Sequence, residues 1–239
     1  MTIAPTPMTH GRAPHRLYLV LLSALVLLVA TGVALYAWRG DSTSTTGTQG
    51  SGVAATQTRD LPSFAAVDLA GTNQVAVSVG GRQSVVFHAD DNLIEAVTTQ
   101  VHSGVLVIGN TGSFTTKSPM RVDVTVPTLT TATLSGTGIV RIDGVKGKQF
   151  DALLPGSGVL RVSGTIDRLD ATLGGSGDMQ LENLIARDAT VSVAGSGRLQ
   201  VHASGTLNAS VAGSGVILYR GNPSRVTQSV TGSGAITKQ

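Results

Sequence analysis

The residues best placed to do chemistry are two aspartates. Asp151 and Asp170 each stand five residues before a Gly-Ser-Gly triplet. If the triplets are turns of one repeating structure, the two carboxylates lie on neighbouring strands, roughly 4.8 Å apart. Carboxylates so close bind a cation, or keep one of the pair protonated for proton transfer. Arg141, Arg161 and Arg168 lie within one repeat of them. Asp151, Asp170 and Arg161 thus make a candidate site for a polysaccharide-acting enzyme. Against this stands an ordinary solvated face, on which Thr190 and Asn208 continue the same position as plain polar residues. Perturbed carboxylates also arise structurally. Asp151 and Asp170 therefore stay weak candidates for a cation, and no catalytic or metal set is assigned.

Other chemical signatures are missing. His88, His102 and His202 have no ligand spacing. The glycine triplets have no third glycine of GxGxxG and no following GK[ST], so they are not phosphate loops. Gly174-Gly175-Ser176-Gly177 breaks the spacing of a GxSxG nucleophile elbow. Cysteine is absent, which removes disulfides, thiol catalysis and cysteine metal sites. No cofactor is expected.

The elements that would position the aspartates are set by an internal repeat. Gly-Ser/Thr-Gly recurs with first and last glycines Gly136 and Gly138, Gly156 and Gly158, Gly175 and Gly177, Gly195 and Gly197, Gly213 and Gly215, Gly232 and Gly234. The triplets are nearly equally spaced, at roughly 20 residues, a period typical of repeat architectures. Two residues before each triplet stand Leu134, Leu154, Leu173, Val193, Val211 and Val230. Four before stand Ala132, Ala152, Ala171, Val191, Ala209 and Gln228. Hydroxyl residues mostly fill the position between, which is strand alternation. Alternation resumes after each triplet, as in Val140 and Ile142 or Leu160 and Val162. A second turn is expected at Gly144, Gly164, Asn183 and Gly221, residues that tolerate positive φ. Successive hairpins have no reason to keep one register. Stacked rungs do, so the pattern predicts a β-solenoid with a thin Leu/Val/Ala interior. Gln228 and Lys238 put polar groups at inward positions of the last rung, which reads as a cap against end-to-end pairing.

Residues 64–127 are strand-like but irregular. Gln74–Val79 and Ser84–His88 alternate around Gly80-Gly81, which predicts a hairpin. Asp90-Asp91-Asn92 predicts one helical turn. Val105–Ile108 and Val122–Val126 are further strands, the second ended by Pro127.

Upstream, Leu17 to Ala37 is an uncharged apolar run, long enough throughout to cross a bilayer as a helix. Tyr18, Tyr36 and Trp38 sit near its ends, and Arg12 and Arg16 precede it. This bias places the N-terminus inside and the rest outside. The competing reading is a cleaved signal peptide with Gly32-Val33-Ala34 at its small-residue site. The expected organisation is a cytoplasmic stretch 1–16, a transmembrane signal anchor 17–38, a flexible Gly/Ser/Thr tether 39–60 and a solenoid domain 61–239, with irregular strands over 64–127 and six repeats over 128–239. Residues 40–239 hold equal numbers of basic and acidic side chains, 14 of each, so nucleic acid is not an expected partner. Aromatics are only 3% of the chain, too few for a stacking platform.

The run NQVAVSVGGRQSVVFHADDNLIEAV, the stretch RVDVTVPTLTTATLSGTG and the six triplets resemble the head GIN domain family, described as heads of autotransporter adhesins. The resemblance covers roughly residues 64–236. It implies an all-β, right-handed β-helix related in shape to pectin lyases, with GSG turns between two sheets and homo-oligomers in the form of trimers. It also implies cell adhesion without the catalytic residues of the enzymes of that shape. The expected protein is a single-pass membrane protein with its solenoid outside the cytoplasm. It would bind an envelope glycan or protein in adhesion or scaffolding, without catalysis. Alternatives are the polysaccharide-acting enzyme above and an envelope sensor signalling through the helix.

Overall fold

The computed structural model describes residues 47–239. The stretch 1–16, the membrane segment 17–38 and the first part of the tether lie outside the described residues. Among the described residues no helix is long and apolar enough to cross a membrane. Residues 47–239 form one compact unit.

Its strands are β1 (Thr48–Gln49), β2 (Ala54–Thr58), β3 (Ala66–Leu69), β4 (Gln74–Val79), β5 (Ser84–Asp90), β6 (Val97–His102), β7 (Val105–Asn110), β8 (Phe114–Thr115), β9 (Arg121–Val126), β10 (Thr131–Leu134), β11 (Ile139–Leu154), β12 (Val159–Leu173), β13 (Asp178–Val193), β14 (Arg198–Gly213), β15 (Val216–Arg220), β16 (Arg225–Gly232) and β17 (Ala235–Lys238). A 3-10 turn, Asp91–Ala96, lies between β5 and β6. The architecture is an all-β solenoid of about five turns. One face stacks β6, β7, β3, β10, the second halves of β11 to β14, and β16. The other stacks β2, β5, β9, β4, the first halves of β11 to β14, β15 and β17. Each rung crosses one face, bends, crosses the other and leaves through a Gly-x-Gly corner.

Alternation explains the core. Leu134, Leu154, Leu173, Val193 and Val211 stack inward and are buried, as are Ala132, Ala152, Ala171, Val191 and Ala209. Val140, Ile142, Leu160, Val162, Met179, Leu181, Leu199 and Val201 meet them from the opposite face. Full burial of one such Leu or Val is worth about 1.5–3 kcal/mol. The alanine column lets the two faces approach closely.

The corner glycines answer a close approach of backbones. A Cβ on Gly136, Gly156, Gly175, Gly195, Gly213 or Gly232 would fall within 3.0 Å of the carbonyl oxygen of the preceding rung's corner glycine. For Gly138, Gly158, Gly177, Gly197, Gly215 and Gly234 it would meet both a carbonyl oxygen and the inward Leu or Val methyl below. Positive φ is needed only at Gly213, 132°, and Gly232, 112°. Most corners thus require glycine for space.

Three expectations change. In β11 to β14 the second turn is a bend inside continuous strands of 15 or 16 residues, where the register to the neighbouring rung shifts at an irregularity, whereas Gly221, at φ 91°, does lie in a separate connection between β15 and β16 as expected. Gly144 and Gly164 do take positive φ there, but Asn183 does not and simply pairs with Ser163. Next, β4 and β5 are not a hairpin. β9 inserts between them, parallel to β4 and antiparallel to β5, and the Gly80–Gln83 connection spans its width. Third, residues 47–60 of the expected tether belong to the fold. β2 pairs antiparallel with β5. Arg59 then pins it, donating to Val97 O at 2.6 Å and Ile94 O at 3.0 Å while its guanidinium lies 4.2 Å over the Phe87 ring.

Gly174 differs from its neighbours, since a Cβ there meets only Pro155 Cα at 3.8 Å. Gly156→Ala should therefore lower unfolding stability by at least about 2 kcal/mol, whereas Gly174→Ala should stay within about 0.5 kcal/mol. Paired denaturant titrations measure both, and equal effects would remove the crowding argument.

Candidate functional site

The outer side of the β10–β16 face carries three ordered columns. Thr131, Asp151, Asp170, Thr190, Asn208 and Thr227 stand in register. Beside them run Gln149, Arg168, Asp188, Thr206 and Arg225. On the other side run Thr133, Leu153, Thr172, Ser192, Ser210 and Ser229. Strand alternation turns all of them outward, and the fixed rung step sets them at one spacing.

Asp151 and Asp170 are direct register partners. The Gln149 amide sits between them, donating to Asp151 Oδ1 at 3.0 Å and to Asp170 Oδ2 at 3.4 Å. That single donor offsets the repulsion of the two carboxylates. Burial, then the neighbouring Asp151 charge, pushes the Asp170 carboxyl up, while Arg168 pulls it down. Arg168 shares this face. Arg141 and Arg161 do not, because they precede the bend and lie on the opposite sheet. Arg161 donates to Gln180 Oε1 at 2.7 Å and Arg141 to Asp143 at 2.8 Å. The constellation of Asp151, Asp170 and Arg161 is therefore not assembled.

A shallow depression of about 340 Å³ opens beside Asp170, lined by Arg168, Asp170, Asp188, Ala189, Thr190, Thr206 and Asn208. Asp188 is one of the lining carboxylates. It accepts from Thr206 Oγ1 at 2.7 Å and from Arg187 Nε at 3.1 Å, and these bonds hold its carboxyl below the usual range. The depression thus presents a cation, carboxylates, hydroxyls and an amide to a single polar ligand. A second depression of about 320 Å³ follows the corner hydroxyls Ser157, Ser176 and Ser196, beside Asp178 and Arg198. Among the described residues no three His, Asp or Glu side chains are grouped to hold a metal ion.

Sequence reasoning missed two features. His88 Nε2 lies 3.2 Å from Asp123 Oδ2, and His88 Nδ1 lies 3.3 Å from Thr56 Oγ1. The three residues come from three different strands, so no spacing could show them together. The corner column also has an earlier member, Gly71-Thr72-Asn73, under Gly136-Thr137-Gly138. Its signal was present, since Leu69 precedes Gly71 by two residues as Leu134 precedes Gly136. The long step from Gly71 to the next corner, far outside the period of the others, hid it.

A family profile covers most of this fold. The family described as "Putative auto-transporter adhesin, head GIN domain" matches residues 63–223. This chain belongs to the head GIN domain family. Its fold is also that of a crystal structure described as a "putative adhesin" from Bacteroides fragilis, with a TM-score of 0.66 at 20% identity, over 81% of this chain and 100% of that one. A "putative lipid binding protein" from Parabacteroides distasonis gives 0.49 at 22% identity, over 80% and 98% of the two chains. A "putative adhesin" from Parabacteroides merdae gives 0.49 at 18% identity, over 82% and 100%. No curated protein matches the sequence.

In this GIN domain the Asp170 proton is held more tightly than in an unfolded chain. The stability it contributes is present below the ordinary carboxylate range and is lost as pH rises through the raised value. Asp151→Asn should bring the Asp170 titration part of the way down, since burial remains, and Arg168→Gln should move it further up. Carboxyl-detected NMR titration reads both shifts. An Asp170 curve indifferent to Asp151→Asn would show that the two carboxylates are not neighbours.

Proposed function

We propose that this head GIN domain is a non-catalytic binding module of the cell envelope. An N-terminal single-pass anchor holds it outside the cytoplasm, and the polar columns of the β10–β16 face lie against an extended envelope glycan. The observation that carries this is the repetition itself. In the Thr131–Thr227 column every rung carries one hydroxyl, amide or carboxylate at a step of roughly 4.8 Å, and a surface periodic in one direction suits a polymer with its own repeat. The shallow Arg168–Asn208 depression lies on that track and would fix one polar unit of the polymer. The scarcity of aromatics makes recognition depend on hydrogen bonds and charge.

The Asp151–Asp170 pair favours one second reading, cleavage of the polysaccharide. The Gln149 amide that bridges both carboxylates, and Arg161 on the far sheet, argue for binding instead.

The test immobilises the full chain in a supported bilayer and passes purified envelope polysaccharide over it, with and without Ca²⁺. Retention is expected, weakened at least tenfold by Arg168→Glu/Asp170→Lys and unchanged by Ser176→Ala at the corner. Absence of retention, or retention indifferent to the face variant, would defeat the proposal. New chain ends in the flow-through that vanish in Asp151→Ala/Asp170→Ala would establish the enzyme instead.

A further inference from the structure

The two ends of the stack are finished differently. At the first end the described chain folds back, with β2 antiparallel on β5 and β6 antiparallel on β7. At the last end β16 pairs with β14 on one edge alone, and its other edge carries no strand among the described residues. All eight residues of β16 are exposed. They include Val226, 38% exposed, and Val230, 46% exposed, although both belong to the inward columns of Leu207 and Val211. A long edge with apolar inward residues is a template for another strand.

The sequence of that edge is nearly palindromic. Around Gln228 it reads Val226-Thr227-Gln228-Ser229-Val230. We infer that β16 is a docking strand for a second copy of this chain, pairing antiparallel with the partner's β16 about a two-fold axis through Gln228.

Four observations fix this occupant and register. An axis through a residue pairs position 228 − n with 228 + n, so positions of like parity meet. The free N–H and C=O groups of an edge strand occur on alternate residues, so those of one copy meet those of the other. Val226 then lies against the partner's Val230, and Thr227 against the partner's Ser229. Gln228 lies against the partner's Gln228, where each carboxamide donates one hydrogen bond and accepts one. Such a reciprocal polar pair inside an apolar contact specifies register. Lastly, residues 226–232 carry no charge, and the axis places the two Arg225 side chains roughly 20 Å apart along the strands, beyond effective repulsion. The polar inward residue Gln228 therefore selects a partner. It does not simply cap the end.

The area is small. A strand of this length spans about 26 Å, and two such edges with the adjoining core fall below the roughly 1,200 Å² of a stable interface. The contact is a weak, reversible one. It gains strength when many copies are held on facing surfaces. β16 and β17 form the end of the stack opposite the first described residues, roughly 45 Å away at the rung spacing. Homophilic contact between cells rests on the anchored binding module proposed above. The pairing itself rests on β16 alone.

The chain has no cysteine, so single cysteines report pairing directly. Gln228→Cys, Val226→Cys, Val230→Cys and a control on the polar face, Thr190→Cys, would each be placed in the full chain in mild detergent and oxidised gently. Gln228→Cys should cross-link to itself at least tenfold faster than the control. Val226→Cys and Val230→Cys should cross-link when mixed, and neither alone above the control. Val226→Lys/Val230→Lys should abolish the Gln228→Cys product while circular dichroism stays unchanged. No product above the control, or Val226→Cys linking to itself as fast as to Val230→Cys, would overturn the pairing. Polysaccharide retention by the same Lys variant should be intact, which separates this outcome from failure of the binding face.

Discussion

Everything in this domain depends on how closely one backbone passes another at the corners. Successive rungs cross there with no room for a Cβ, because each corner glycine lies over the carbonyl oxygen of the corner below. That contact fixes the rung step and with it the register of both faces. On each face that register stacks small or branched aliphatic residues on one another from rung to rung, as Ala152 on Ala171 and Leu154 on Leu173. The interior is consequently thin, and large aromatic rings are confined to a few places, such as Phe87 and Phe150.

The same constraint shapes the outside. Stacking like on like is favourable for hydroxyls and unfavourable for charges at one rung's separation. The structure shows how the difficulty is met. Asp151 and Asp170 share the Gln149 amide, and Asp188 is neutralised by Thr206 and Arg187. Asp143 is held below the usual carboxylate range by Arg141 and Ser163. Asp68, more deeply set, is pushed up by burial despite its bond from Ser135. These carboxylates are thus each held by particular neighbours, and Arg168 draws the Asp170 carboxyl down beside the depression.

The solenoid was legible in the sequence because its cause is local and repeated. Each triplet and each inward Leu or Val states the same steric requirement again. What was not legible depends on pairing across long separations. Nothing in Gln74–His88 indicates that β9 will enter between its two strands. Nothing in the spacing of Arg161 reveals that the bend at Gly164 sends it to the sheet away from Asp170. The continuous path through Asn183 was obscured for a related reason, since a residue that tolerates a turn also tolerates a ladder when its neighbours on both sides are strands. Thr56, His88 and Asp123 meet only because three separate strands lie side by side.

The insertion of β9 also bears on the order in which the chain can be built. Beyond Leu134 each new rung pairs with the rung just before it in sequence, so growth proceeds by adding one coil to a finished surface. The first surface is another matter. β11 must find β4, pairing Val140 with Val75 across everything from β5 to β10. That loop is roughly three times as long as a single rung, yet closing it costs only about 1 kcal/mol more. The larger demand is simultaneity. β5 gains its second ladder only when residues 121–126 arrive to fill the gap beside β4, and until then β2 alone can pair with it. A chain emerging from its N-terminus can pair β2 with β5 and β6 with β7 early, yet β4 must wait for β9, and the stack then lengthens coil by coil from that seed.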